Sequence, residues 1–227
     1  MVQFHSLNTI IDDLLNESRS SDIAESESLS RIQIEQWIIE YRSILIKQDI
    51  DKGRKINPDY EQEIRNIHVV SDASINSNVW VGKTSIKIPN GVDFHFENPI
   101  TEVSDSYGNI IQLLSEKRSR FQNKRRYGSN ETVAYKKGEY LYISGNGGVD
   151  YIDVKGIFED PMSSQLGLTA DDRYPIPANM VTTLKELIMT KEINIVALAD
   201  VSNDSSNDLT KSQLSSSDYK KISRGIK

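Results

Sequence analysis

The chain of 227 residues carries a net charge of −6, with 26% charged and 37% apolar residues, a composition that suits one domain with a real core. No run approaches the roughly 20 apolar residues that cross a bilayer, and the opening MVQFHSLNTIIDDLLNES does not read as a secretory signal. Zero cysteines remove disulfides, thiolate metal sites and cysteine nucleophiles, and three histidines leave little for general-base or transition-metal chemistry, so an enzyme is not expected.

Phe4, Leu7, Ile11 and Leu14 recur at helical spacing, with Ile10 and Leu15 flanking the same face, and predict a short amphipathic helix. Glu17 to Ser30, dense in Ser, Asp and Glu, reads as a solvated connection. The segment SLSRIQIEQWIIEYRSILIKQDIDKG has no Pro or Gly before Gly53 and predicts one long helix from about Ser28 to Lys52. At about 100° per residue, Ile34, Trp37, Ile38, Tyr41, Ile44 and Leu45 form one apolar stripe. Ile32, Ile39, Ile46 and Ile50 form a second, roughly opposite. Arg31, Glu35, Arg42 and Asp49 lie between the stripes on one side, and Gln33, Glu40, Ser43 and Lys47 on the other. Two stripes imply two partners: either the helix is sandwiched within its own domain, or one stripe meets another subunit.

Between Ile64 and Phe158 the pattern changes to period two. IRNIHVVS, VWVG, SIKI, VDFHFE and NIIQLL read as short strands separated by turn residues. In EYLYISGNGGVDYIDVKGIFEDP, strands at about Glu139 to Ser144 and Val149 to Phe158 flank Gly145-Asn146-Gly147-Gly148, which predicts a hairpin. Pro177 then opens a last helix with an apolar face of Val181, Leu184, Leu187, Ile188 and Ile195. From about Asp200 the chain is too polar to fold alone.

The fold expected is α+β: a helical bundle, made of the short N-terminal helix, the long central helix and the closing helix, with an inserted antiparallel β region and a flexible C-terminal tail. The boundaries are 1–65 for the helical part, 66–162 for the β region, 163–199 for the closing helix and 200–227 for the arm.

Three motifs look chemical. Gly82-Lys83-Thr84 resembles the end of a phosphate loop, but Ser77 stands where a glycine is needed and a strand follows, so no nucleotide site is expected. Asp93, His95 and Glu97 alternate and would share one face of a strand. That spacing could hold a divalent cation, but a two-faced strand with a solvated polar side accounts for it more simply. Gly145 to Gly148 precedes a strand instead of the helix that phosphate cradling needs. Asp171-Asp172 reads as a turn. Neither catalytic residues, nor a cofactor, nor a metal is therefore assigned.

The strongest anomaly is SEKRSRFQNKRRYG, where Lys117, Arg118, Arg120, Lys124, Arg125 and Arg126 face only Glu116, with Phe121 and Tyr127 interleaved. Such a patch could touch nucleic acid phosphates, dock an acidic surface such as the segment from Asp12 to Glu40, or simply be solvated.

The layout resembles the adaptor and ring proteins that connect head to tail in short-tailed phages, most of all those of the crAss-like phages. The resemblance is carried by the two-striped helix RIQIEQWIIEYRSILIKQDI, by KINPDYEQ leading into strands, by GEYLYISGNGGVDYIDVKGIFEDP and by DDRYPIPANMVTTLKELIMTKE. It implies a non-enzymatic virion protein, made in the host cytoplasm, that forms a ring of twelve copies beneath the portal, extends the DNA channel for ejection and contacts other tail or ring proteins. On that reading Ile32, Ile39, Ile46 and Ile50 form the subunit contact, the arm docks on a partner, and the basic patch faces the channel or a neighbour. The alternative is a nucleic-acid-binding protein that uses segment 117–126. No membrane partner is expected.

Overall fold

Leu7, Ile10, Ile11 and Leu14, spaced three and four apart, are all buried on one face of the first helix, α1 (Leu7–Ser20). Ser6 Oγ accepts from the Thr9 N–H at 3.2 Å and caps its first turn. The structure, a computed structural model, describes residues 5–20, 30–72, 80–95, 97–121, 131–145 and 148–193. Phe4, Phe96, Lys124, Arg125, Arg126, Tyr127, Ile195, the connection over 21–29, the Asn146-Gly147 pair and the arm over 200–227 lie outside the described residues.

The long uninterrupted segment forms α2 (Arg31–Asp51), and the segment after Pro177 forms α4 (Ala178–Ile188), continued by a wider turn over Met189–Ile193. These two and α1 share one apolar cluster, in which Ile34, Ile38 and Leu45 of α2 meet Leu14 of α1 and Val181, Leu184 and Ile188 of α4. Tyr41 donates to Glu192 at 2.5 Å, tying α2 to the last turn.

After α2, Asn57 accepts from the Asp59 N–H at 3.1 Å and caps a tight turn over Pro58–Tyr60, which starts the chain into its sheet. The strands are β1 (Gln62–Ser71), β2 (Trp80–Thr84), β3 (Ile100–Asp105), β4 (Gln112–Leu113), β5 (Val133–Lys137), β6 (Tyr140–Gly145) and β7 (Tyr151–Gly156), with the one-turn helix α3 (Glu116–Ser119) between β4 and β5. Their order is β3-β7-β1-β2-β6-β5-β4. Every pairing is antiparallel except β4 with β5, so the sheet is mixed. The outer strands nearly meet: the Ile111 N–H donates to Val103 O at 2.7 Å, and Ser104 bridges Ile110. The sheet therefore curls into a nearly closed barrel, which leaves little unpaired edge. Ile64, Ile67, Val69, Val103, Leu141, Ile143, Ile152 and Val154 fill its interior. Asn66, at φ 56, introduces an irregularity in β1 that moves the inward positions from Ile64 to Ile67 and Val69, and its N–H is held by Asp153 Oδ1 at 2.7 Å.

This architecture corrects the expected one. The molecule is a seven-stranded mixed sheet forming a nearly closed barrel, with four helices among the described residues, and not a helical bundle carrying an inserted antiparallel region. Among the described residues SIKI and VDFHFE form no strand and NIIQLL supplies only two residues, whereas ITEVSD and VAYKK are full members of the barrel. Sheet strands gain stability from cross-strand neighbours more than from their own residues, so weak local signals in β3 and β5 are overridden by good partners.

The glycine-rich segment also departs from expectation. Tyr140–Gly145 and Tyr151–Gly156 do not pair with each other: β6 lies between β2 and β5, and β7 lies between β1 and β3. The tight hairpin is instead β5–β6, where Lys137 faces Tyr140 across Gly138-Glu139 and Gly138 takes φ +63.

Candidate assembly surfaces

The second stripe of α2 divides into two halves. Ile46 and Ile50 are buried against Tyr60, Val92, Phe94 and Ile157 of their own chain, so segments that flank the barrel strands cover the C-terminal half of this line. Ile39 is half-buried, and Ile32 is 74% exposed. Ile44, from the first stripe, is also exposed. The open part of this second stripe is thus its N-terminal half, with Ile32 as its apolar high point.

Arg42, which the pattern groups with polar residues, is completely buried. It donates to Pro175 O at 2.9 Å, Phe158 O at 2.9 Å and Tyr60 O at 3.4 Å, and its guanidinium lies 5.9 Å from the centre of the Tyr174 ring. Burial pushes its pKa below the ordinary arginine value, opposed by Tyr174, Asp160 and Tyr60. The sequence held one signal for this. At 100° per residue the gap between the stripes is about 80° on the Arg42 side against about 120° on the other, and the narrower gap is the one the core closes over. Asp49, in the same gap, accepts from Tyr60 at 2.8 Å and from Arg54 at 2.7 Å.

The described part of the basic segment lies on the outside of the barrel. Lys117, Arg118 and Arg120 are exposed on and just after α3, which packs against β5, and Arg120 pairs with Glu116 at 2.7 Å. Beside it the pairings set side chains into a grid. Lys83, Tyr142 and Tyr135 form one row across β2, β6 and β5, and Tyr140 with Lys137 forms the next. Tyr135 and Tyr142 stack at 5.5 Å with planes 15° apart. Each lysine leans diagonally: Lys83 Nζ lies 3.7 Å from the centre of Tyr140, and Lys137 Nζ 5.7 Å from that of Tyr142. Tyr135 also lies in the field of Glu116 and Arg120, so the α3 charges adjoin this grid. The acidic N-terminal carboxylates are engaged elsewhere, Asp12 with Arg31 at 3.1 Å and Asp13 with Lys185.

The other motifs have structural explanations. Asp93, His95 and Glu97 lie on an irregular segment and share no strand face; Asp93 is 3.9 Å from Lys47, and the His95 N–H donates to Asp51 at 3.1 Å. Among the described residues no three acidic or histidine side chains gather as a metal would need. Gly82 lies in β2, and a Cβ there would sit 2.4 Å from both the Trp80 ring and Val69 Cγ1, so packing requires the glycine. Asp171 accepts from Asn8 at 2.5 Å, and Asp172 accepts from the Thr169 N–H at 2.8 Å, both within the turn before α4.

No helix among the described residues is long and apolar enough to cross a membrane. No curated protein matches the chain. A family model described as phage tail ring protein 2 matches residues 9–209, a span that takes in most of α1 and all of α2, the barrel and α4. The charged and apolar surfaces above are therefore those of a virion component, and the chain belongs to the crAss-like phage tail ring protein family.

Proposed function

We propose that this tail ring protein forms a ring of twelve copies beneath the portal, where it joins capsid to tail and extends the channel through which the genome is ejected. Its role is mechanical and not enzymatic. It is made in the host cytoplasm and ends in the virion tail, against the portal and other tail or ring proteins. The arm over 200–227 docks on one of these neighbours.

One observation carries the side-to-side contact: the line Ile32–Ile39–Ile46–Ile50 is covered by the chain's own Tyr60, Val92, Phe94 and Ile157 at one end and uncovered at the other. Ile46 and Ile50 thereby anchor the helix, and Ile32 with Ile39 offers its continuation to the next subunit. Burying an exposed isoleucine contributes about 1.5–3 kcal/mol, repeated at each contact of a closed ring. A heterologous interface of this kind closes when the rotation per subunit divides the circle. Membership of a tail ring family supports the ring; the half-covered stripe supports where its subunits touch.

The test is the double variant Ile32→Asp/Ile39→Asp, expressed with the portal. Rings in register with the portal should be lost in electron micrographs while the monomer keeps its melting temperature. Rings that persist would refute the assigned contact.

A further inference from the structure

We infer that the outer face of β2, β6 and β5, together with α3, binds the phosphate backbone of double-stranded DNA without reading its sequence. The inference rests on the proposed ring only in the clause that the DNA concerned is the genome passing through it.

Lys83 and Lys137 stand over the tyrosine rings of this face, and α3, which packs against β5, exposes Lys117 and Arg118 beside it. The carboxylates of Asp72 and Glu116 also adjoin the face, Glu116 paired with Arg120. None of the four cations has a carboxylate ion-pair partner among the described residues. By contrast Lys87 pairs with Glu139 at 2.6 Å, Arg120 with Glu116 at 2.7 Å, and Lys155 with Glu102 at 3.4 Å. With Asp72 counted, the four cations still leave the face with an excess of positive charge on a chain whose net charge is −6. The two lysines are held over tyrosine rings, which orders their stems before a ligand arrives and lowers the entropy lost on binding.

The geometry selects among polyanions. Tyr135 and Tyr142 are buried, and Lys83 covers the ring of Tyr140, so these rings present no free faces on which unpaired bases could stack. The face offers ammonium and guanidinium groups on the outside of the barrel, where they can meet the regularly spaced phosphates of a duplex. The carboxylates of Asp12, Asp13 and Asp49 of a second copy are the weaker match, because they are already engaged with Arg31, Lys185 and Arg54.

The experiment measures binding of a fluorescein-labelled mixed-sequence DNA duplex to the full chain by anisotropy across a salt series, with ring formation followed separately by micrographs of the chain with portal. Four phosphate contacts predict a slope of about −3.6 in log K against log salt, so affinity should fall roughly 100-fold between about 50 and 200 mM. The variant Lys83→Gln/Lys137→Gln/Lys117→Gln/Arg118→Gln should abolish the salt-dependent binding while ring formation persists. Arginine at 83 and 137 should preserve the binding, as should Lys155→Gln, which alters a paired lysine elsewhere. Circular dichroism establishes that each variant is folded. Absent or salt-insensitive binding by the native chain overturns the inference. So does the fourfold variant if it still binds DNA, or if it loses ring formation while binding is unchanged. Loss of rings in Ile32→Asp/Ile39→Asp with DNA binding intact separates the two proposals.

Discussion

Arg42 joins three distant parts of the chain through carbonyl groups of Tyr60, Phe158 and Pro175. Each buried acceptor stranded without a donor costs about 1–3 kcal/mol, and truncation to alanine adds a cavity. Arg42→Ala should therefore lower stability by about 3 kcal/mol or more, read as a lower urea midpoint. Gly82 gives a second expectation. Gly82→Val must displace the Trp80 ring and Val69 and should cost about 1–3 kcal/mol, visible as a lower melting temperature. Asp105 supplies a pH dependence. The Asn109 side chain, then the N–H groups of Asn109 and Tyr107, hold its carboxyl below the usual aspartate range. A depressed folded pKa contributes stability that is present above the unfolded value and is lost as pH falls through the folded one. Asp105→Asn should flatten the acid limb of the stability profile below about pH 4 and leave neutral stability less affected.

Along α2, residues of one sequence pattern have different jobs. Ile46→Asp puts a carboxylate against Tyr60, Phe94 and Ile157 and should unfold or strongly destabilise the monomer, by about 3 kcal/mol or more. Ile32→Asp alters an exposed residue and should leave urea unfolding within about 0.5 kcal/mol of the native chain. The apolar faces of α1, α2 and α4 were legible because helix amphipathicity is a local property: Leu7, Ile11 and Leu14, or Val181, Leu184 and Ile188, announce a face within a few turns. The strands were less legible. The sequence Gly145 to Gly148 predicts a turn, but turn residues do not say which strands pair, and β6 and β7 take other partners. The basic segment was visible as charge at Lys117 to Arg126. Its companions Lys83 and Lys137 were not, because only cross-strand register brings them to one face with Tyr140 and Tyr142.

The nearly closed barrel limits how copies can meet. With its strand edges mostly paired, addition of a strand from a neighbour is disfavoured, so ring contacts fall to helix and sheet faces. On assembly, hydrogen exchange should slow at the N-terminal half of α2 and change little in β1 and β7. The seam between β3 and β4 rests on few hydrogen bonds, and the Ile111 amide should exchange before those of β1. Particle mass and symmetry with the portal would give the copy number directly. Local periodicity and composition were enough to find three helices, a polar C-terminal segment, a basic anomaly and a poverty of catalytic residue types. Those properties are written in neighbouring residues. The folded chain was needed to curl the sheet into a barrel, to bury Arg42 and to split the isoleucine line of α2 into a covered and an open half. Each of these depends on partners far apart along the chain, as when Gln62 pairs with Gly156 or Ile46 meets Ile157, and alternation identifies a strand's two faces without naming its neighbours.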